Sequence, residues 1–225
     1  SIAKHDDRVI FVQGGVPGDI CDITVFKRKK KFWEARIEKI HTYSKNRTEP
    51  KCEHFGTCGG CKWQNMNYQS QLYFKQNEVL NNLQRIGGIT LPTHSEIIGS
   101  ENEYFYRNKM EFTFSNKRWL TTEEIQSEEN IADKDACGFH VPGMFDKVIN
   151  LNNCYLQKEP SNSIRLSVKK FADKNNLTYF DICNHKGLLR NLIIRTSSTN
   201  DLMVLVQFFE ADKKNIKLVM EHIKT

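Results

Sequence analysis

"ICDITVFKRKKKFWEARIEKI", residues 20–40, is the stretch on which the reading of the first part of the chain turns. Cys21, Ile23 and Val25 alternate with Asp22 and Thr24. Further on, Trp33, Ala35 and Ile37 alternate with Glu34, Arg36 and Glu38. A period of two puts each apolar set on one face of an extended strand. Between the two strands lie Lys27, Arg28, Lys29, Lys30 and Lys31. Five adjacent cations belong at a hairpin tip, where long side chains stay solvated and reach phosphate groups.

Upstream, "RVIFV" (8–12) reads as another strand and "GGVPGD" (14–19) as a turn, because Gly and Pro supply its backbone angles. Short, closely spaced strands of this kind predict a small β-barrel of the OB type, a fold often used for oligonucleotides. "SKNRTEP" (44–50) reads as a linker. The charge supports a polyanionic partner: residues 1–51 carry twelve Lys/Arg against seven Asp/Glu, residues 52–90 three against two, and residues 91–225 eighteen against eighteen. A basic excess confined to one small domain is the footprint of a nucleic-acid-binding module. A merely solubilising surface is the competing reading.

With 225 residues there is room for one large domain or two to three small ones. The longest aliphatic run is "LMVLV" (202–206), far short of the ~20 apolar residues that span a bilayer. The opening "SIAKHDDRVI" has no signal-peptide core. It begins on Ser1 and enters a strand-like segment at once, so the chain is expected to start inside a domain. Seven cysteines without an export signal point to a reducing compartment, hence the cytoplasm, and against a disulfide framework. No membrane partner is expected, and a monomer is.

After a cysteine-rich loop, "NYQSQLYFKQNEVLNNLQRIGG" (67–88) predicts one helix with Leu72, Val79, Leu80, Leu83 and Ile86 on one face, stopped by Gly87 and Gly88. "RNKMEFTFS" (107–115) alternates as a strand, while "TTEEIQSEENIADKD" (121–135) reads as a solvated excursion. "CGFHV" (137–141) and "KVINL" (147–151) form a strand pair around "PGMFD". "PSNSIRLSVKKFADKNN" (160–176) is a helix with Ile164, Val168, Phe171 and Ala172 inward. "LRNLIIRTS" and "LMVLVQFF" make a hairpin, and Asp212 caps a last helix. The expected fold class is α+β: an OB-like barrel over 1–48, the cysteine loop and its helix over 49–90, and an α+β domain with an antiparallel sheet over 91–225.

The loop is "CEHFGTCGGCKW" (52–63). Cys58 and Cys61 form a C-x2-C pair, with Cys52 six positions earlier. Gly59 and Gly60 let the backbone wrap tightly, so amides can point at metal-bound sulfurs. A fourth ligand must come from His54, Cys137, Cys154, Cys183 or Cys21. Cys154 is favoured because it follows a strand in "NNCYLQ"; Cys183 and Cys21 read as small buried hydrophobes and His54 as a loop side chain. Structural zinc often takes two C-x2-C pairs, whereas a [4Fe–4S] cluster commonly takes three cysteines from one loop and one from afar. The three-plus-one pattern favours iron–sulfur, with zinc as the alternative.

"GGVPGD", the cysteine loop with its trailing Gln64, Tyr68, Gln71 and Lys75, "YRNKMEF" (106–112), "GFHVPGMFDKVINLNNCYLQ" (138–157) and "LRNLIIR" (189–195) together resemble the RNA uracil-5-methyltransferases that carry an N-terminal TRAM domain and an iron–sulfur cluster. The resemblance covers nearly the whole chain. It implies a [4Fe–4S] cluster on Cys52, Cys58, Cys61 and Cys154, S-adenosylmethionine as methyl donor, and structured RNA as partner, ribosomal ahead of transfer RNA. It also implies a thiolate that attacks C6 of uracil. The family's glycine-rich cofactor loop, Asp-Pro-Pro segment and Ser-Cys-Asn-Pro nucleophile have no counterpart in this sequence. The TRAM domain looks clipped at its front.

The expected function is therefore the RNA-binding, cluster-bearing portion of an RNA uridine C5-methyltransferase, inactive by itself and holding no catalytic residue. RNA contacts are expected from Lys27, Arg28, Lys29, Lys30 and Lys31, and from Arg107 and Lys109 on the central sheet. Trp63 is expected to shield the cluster. Two rivals are a stand-alone RNA-binding module with structural zinc and a redox sensor using cluster or thiols.

Overall fold

A computed structural model describes residues 1–127 and 133–224. They group into two compact units: Ser1–Glu53 with Trp63–Glu101, and His54–Lys62 with Asn102–Thr225. Among the described residues no helix is long and apolar enough to cross a membrane.

In the first unit, strands β1 (Ile2–His5), β2 (Arg8–Gln13), β3 (Ile20–Arg28) and β4 (Phe32–Thr42) form one sheet in the order β1-β2-β4-β3. Asp6 and Asp7 join β1 to β2 with positive φ at both positions, the tight two-residue turn that suits strand twist. β2 runs parallel to β4, and β3 runs antiparallel to it. Alternation places Ile10, Val12 and Ala35 in the core, with Ile23, Val25, Trp33 and Ile37 packed against them. The described pairings make a four-stranded sheet with β1 and β3 at its edges, and the barrel closure expected from the sequence is not among them.

The "GGVPGD" turn does more than reverse the chain. Asp19 accepts hydrogen bonds from the Val16 and Ser44 amides and from Nε and Nη2 of Arg47. Burial opposes its charge, but the bonds from Arg47, Ser44 and Val16 outweigh that and hold the carboxyl below its ordinary value. Ser44 and Asn46 both donate to the Pro17 carbonyl. Residues 44–50 are thus not a loose linker. The buried carboxylate of Asp19 captures them.

Asn67 opens helix α1 (Tyr68–Asn81): its side chain accepts from the Ser70 amide at 2.9 Å. A π-helical turn (Asn82–Ile86) follows, and Gly88 reverses the chain with φ of +64°. The helix lies where expected, but its apolar stripe is not a core face. No α1 residue is buried, and Val79, Leu83 and Ile86 are exposed.

The second unit contains β5 (Lys109–Ser115), α2 (Thr122–Gln126), β6 (Ala136–His140), β7 (Val148–Asn150), α3 (Ser161–Lys174), β8 (Leu189–Thr196), β9 (Leu202–Phe208) and α4 (Lys213–Lys224). Its sheet is antiparallel throughout, in the order β7-β6-β5-β8-β9. Phe112, Phe114, Leu192 and Ile194 point from the sheet into a core shared with Val168 and Ala172 of α3 and Val219 of α4. Helices gathered against an antiparallel sheet define the α+β class. Asp212 caps α4 through the Asn215 amide, as its position implies. The acidic segment 121–135 begins with the short helix α2, opened by a Thr121–Glu124 capping box; its residues 128–132 lie outside the described ones.

Candidate functional site

The loop holding Cys58 and Cys61 is docked onto the second unit by backbone contacts. The His54 carbonyl accepts from the Cys58 amide at 2.8 Å, and the Gly59 amide donates to the His140 carbonyl at the end of β6. His54 Nε2 accepts from the Asn152 amide at 3.0 Å, which ties this loop to the segment leading to Cys154. Gly59 is sterically required. A Cβ there would stand 2.6 Å from the His140 oxygen, whereas one on Gly60 would meet Cys58 Sγ and the Phe139 ring at an ordinary 3.4 Å. The Gly60 amide donates to Cys58 Sγ at 3.4 Å, as the double glycine predicts.

Cys154 is 9% exposed and belongs to the core, and Cys58 and Cys61 pack against that same core. Its amide donates to Asn162 Oδ1 at 2.9 Å, and Asn162 returns a bond to the Cys154 carbonyl. Cys52 falls in the first unit, where its amide donates to the Gln64 side chain. Among the described residues no group of three or more His, Cys, Asp or Glu side chains is gathered to hold a metal ion.

One residue near Cys154 escaped sequence reasoning. Arg165, on α3, is wholly buried. It donates to the Leu151 and Asn152 carbonyls and to Asn162 Oδ1, its guanidinium lies 5.4 Å from the Phe112 ring, and its Nε has no acceptor among the described residues. Burial pulls its pKa down, while Cys137, Cys154 and Glu159 push it up. A buried guanidinium whose hydrogen-bond acceptors are neutral gains from negative charge nearby, and Glu159 is one carboxylate that acts on it. Only its position on an amphipathic helix could have flagged it, and there an Arg ordinarily reads as solvated.

The remaining thiols separate clearly. Cys137 is fully buried and burial pushes its pKa up to about 12, so it is an inert core thiol. Cys21 is half-buried on β3. Cys183 is a correction: it is exposed rather than buried, and Lys117 Nζ donates to its Sγ at 2.9 Å. It sits in a tight turn organised by Asp181, which accepts from the Cys183 and Asn184 amides.

The trailing pattern of the loop is structural within the first unit. Gln71 donates to the Trp63 and Met66 carbonyls, and Lys75 Nζ lies 5.5 Å from the Trp63 ring. Trp63 itself is exposed, which does not suit the shielding role expected of it.

The basic tip is shorter than expected, because β3 continues through Arg28. Lys27 pairs with Glu34 at 3.0 Å, Arg28 lies 5.2 Å from the Trp33 ring, and Lys29 lies 5.3 Å from the Phe32 ring. Lys29, Lys30 and Lys31 form the tip, closed by the Lys29 amide on the Phe32 carbonyl. Arg8, which the sequence did not single out, covers Trp33 from 4.6 Å. In the second unit Arg107 lies before β5, not on the sheet, and its amide donates to the Leu156 carbonyl. Lys109 opens β5, opposite Arg195, and is partly neutralised by Glu111 at 3.5 Å.

No protein-family model matches the chain. It is 49% identical over 206 residues to a protein of Bacteroides thetaiotaomicron and 43% identical over 217 residues to one of Porphyromonas gingivalis, both named uncharacterized RNA methyltransferases. The alignments take in 92% and 94% of this chain but only 45% and 47% of those proteins, so the chain spans about half the length of the curated relatives it matches. Among solved structures, it superimposes with a TM-score of 0.60 and 24% identity on the Pyrococcus abyssi tRNA (uracil-54, C5)-methyltransferase bound to S-adenosyl-L-homocysteine, over 92% of this chain and 44% of that one. That likeness establishes the fold. Over nearly its whole length the chain therefore resembles part of proteins named for RNA methylation.

Proposed function

We propose that the chain is the RNA-binding, cluster-bearing part of an S-adenosylmethionine-dependent RNA uridine C5-methyltransferase. The observation that carries this reading is the 49% identity, over 92% of the chain, to a protein named an RNA methyltransferase. Uracil C5 as the target and S-adenosylmethionine as the donor follow the named activity and bound product of the Pyrococcus abyssi enzyme. The basic β3–β4 tip supplies phosphate contacts, with Lys29, Lys30 and Lys31 ahead of Lys27 and Arg28, which are engaged by Glu34 and Trp33. Arg107 and Lys109 are secondary RNA contacts.

Cys58, Cys61 and Cys154, with Cys52, are the ligands we assign to a [4Fe–4S] cluster; zinc is the competing metal. The residues suit an anionic all-thiolate group: the Gly60 amide already points at Cys58 Sγ, and the buried Arg165 has no carboxylate among its hydrogen-bond acceptors. Bound there, the cluster would supply a compact negative anchor for the loop. The test is anaerobic purification followed by iron and sulfide analysis. The reading expects both elements, a broad absorption near ~400 nm, and its loss in Cys154→Ser. A colourless protein holding zinc would instead support the zinc-module alternative.

A further inference from the structure

The first unit carries a second aromatic and cationic feature, on the face of its sheet opposite the core. Alternation sends Ile10, Val12 and Ala35 inward, and therefore sends Phe11, Phe32 and Glu34 outward. Phe11 is 43% exposed, and its ring meets that of Phe32 edge-on at 5.3 Å. On the neighbouring strand Phe26 is 49% exposed, at the register shift between Val25 and Lys27. A strand face turned to water ordinarily carries polar residues, in alternation with the apolar ones that face the core. Phe11 and Phe32, placed there, have no role in the core.

Their surroundings indicate what they meet. Lys29 Nζ stands 5.3 Å from the Phe32 ring, Lys27 has drawn the Glu34 carboxylate into an ion pair, and Arg36 is exposed one position further along the same face. The segment containing these strands, residues 1–51, has a net charge of +5. Unpaired nucleic acid offers flat apolar bases joined by phosphates, a match for exposed rings with Lys29 and Arg36 beside them. Aromatic side chains beside a cationic track are the physical recipe for binding single strands.

We propose that Phe11 and Phe32 form a stacking platform for unpaired RNA bases, with Lys29 holding the adjoining phosphate. This rests on the RNA-binding reading above and adds to it a preference for single-stranded over paired RNA.

The test is fluorescence anisotropy of the whole chain with a labelled single-stranded oligouridine of about 12 nucleotides and with an RNA duplex of equal length. Phe11→Leu and Phe32→Leu keep apolar bulk and remove the ring. Each is expected to lower affinity for the single strand about 10-fold, leave duplex affinity and the salt slope unchanged, and melt at the wild-type temperature. Phe32→Trp should restore or strengthen single-strand binding. Leucine variants that bind the single strand as tightly as wild type would overturn the platform, as would equal losses on both RNAs. Wild-type protein that binds neither RNA would overturn the RNA-binding reading itself, a different result from a failure confined to the phenylalanine variants.

Discussion

Arg165 shows how a single side chain organises the second unit. Its guanidinium replaces water for the carbonyls of Leu151 and Asn152 and shares Asn162 Oδ1 with the Cys154 amide. Arg165→Met keeps the volume but strands those carbonyls, at an expected loss of about 3 kcal/mol in chemical denaturation. Arg165→Lys should recover only part of it, because an ammonium cannot reproduce the planar fork. Asp135, just before β6, gives a pH signature. Burial first, then the Asp173 carboxylate, push its pKa up to about 6 against an opposing pull from Lys169. The folded protein therefore holds this proton more tightly than the unfolded chain. The contribution is full below about pH 4, near the unfolded value, and is lost as pH rises through about 6, by about 1 kcal/mol after solvent screening of a half-buried group. In Asp135→Asn, urea midpoints between pH 4 and 7 should lose that decline. At this scale the sequence was legible where chemistry is dense: the double glycine does turn an amide toward Cys58 Sγ, whereas the docking of Gly59 on His140 and the burial of Cys154 were not readable from the motif. It was silent on Arg165, since the apolar period that predicts α3 is indifferent to one buried cation. It misplaced Cys183, because nothing in "FDICNH" records the Asp181 turn that turns the thiol outward.

The elements were more legible than their environments. The strand pairs, α3 and α4 stand where two-residue and 3.6-residue periods put them, and the basic run does close a hairpin. Helix α1 illustrates the limit: its stripe of Leu72, Val79 and Leu83 predicts a helix correctly, but a period says nothing about what covers the stripe, and no α1 residue is buried. The 44–50 segment illustrates another, because the Asp19–Arg47 pair joins residues 28 positions apart. For the β3–β4 hairpin, converting Lys29, Lys30 and Lys31 to Gln should flatten the dependence of log RNA affinity on log salt by about 2, given a slope near 0.7 per single-strand phosphate. Lys27→Gln alone should change it less, because Glu34 already holds that charge. Filter binding across a salt series checks both, and an unchanged slope in the triple variant removes the tip from the RNA interface.

At the scale of the whole molecule, the α+β class and the antiparallel five-stranded sheet were readable from alternation and turn residues, whereas the mixed order β1-β2-β4-β3 was not: a parallel pair between distant strands leaves no local trace. The sequence similarity and the fold likeness each take in under half of the proteins they match. The proposed RNA grip and loop anchor draw on the chain's aromatic, cationic and thiol features, and no nucleophile has been assigned among them. The most direct measurement uses the intact protein encoded by the gene and RNA carrying tritium at uridine C5. Methylation at that carbon must expel the C5 hydrogen, so the account predicts release of tritium to water that depends on S-adenosylmethionine. Methyl transfer to RNA without tritium release, or no transfer to any RNA, would contradict it.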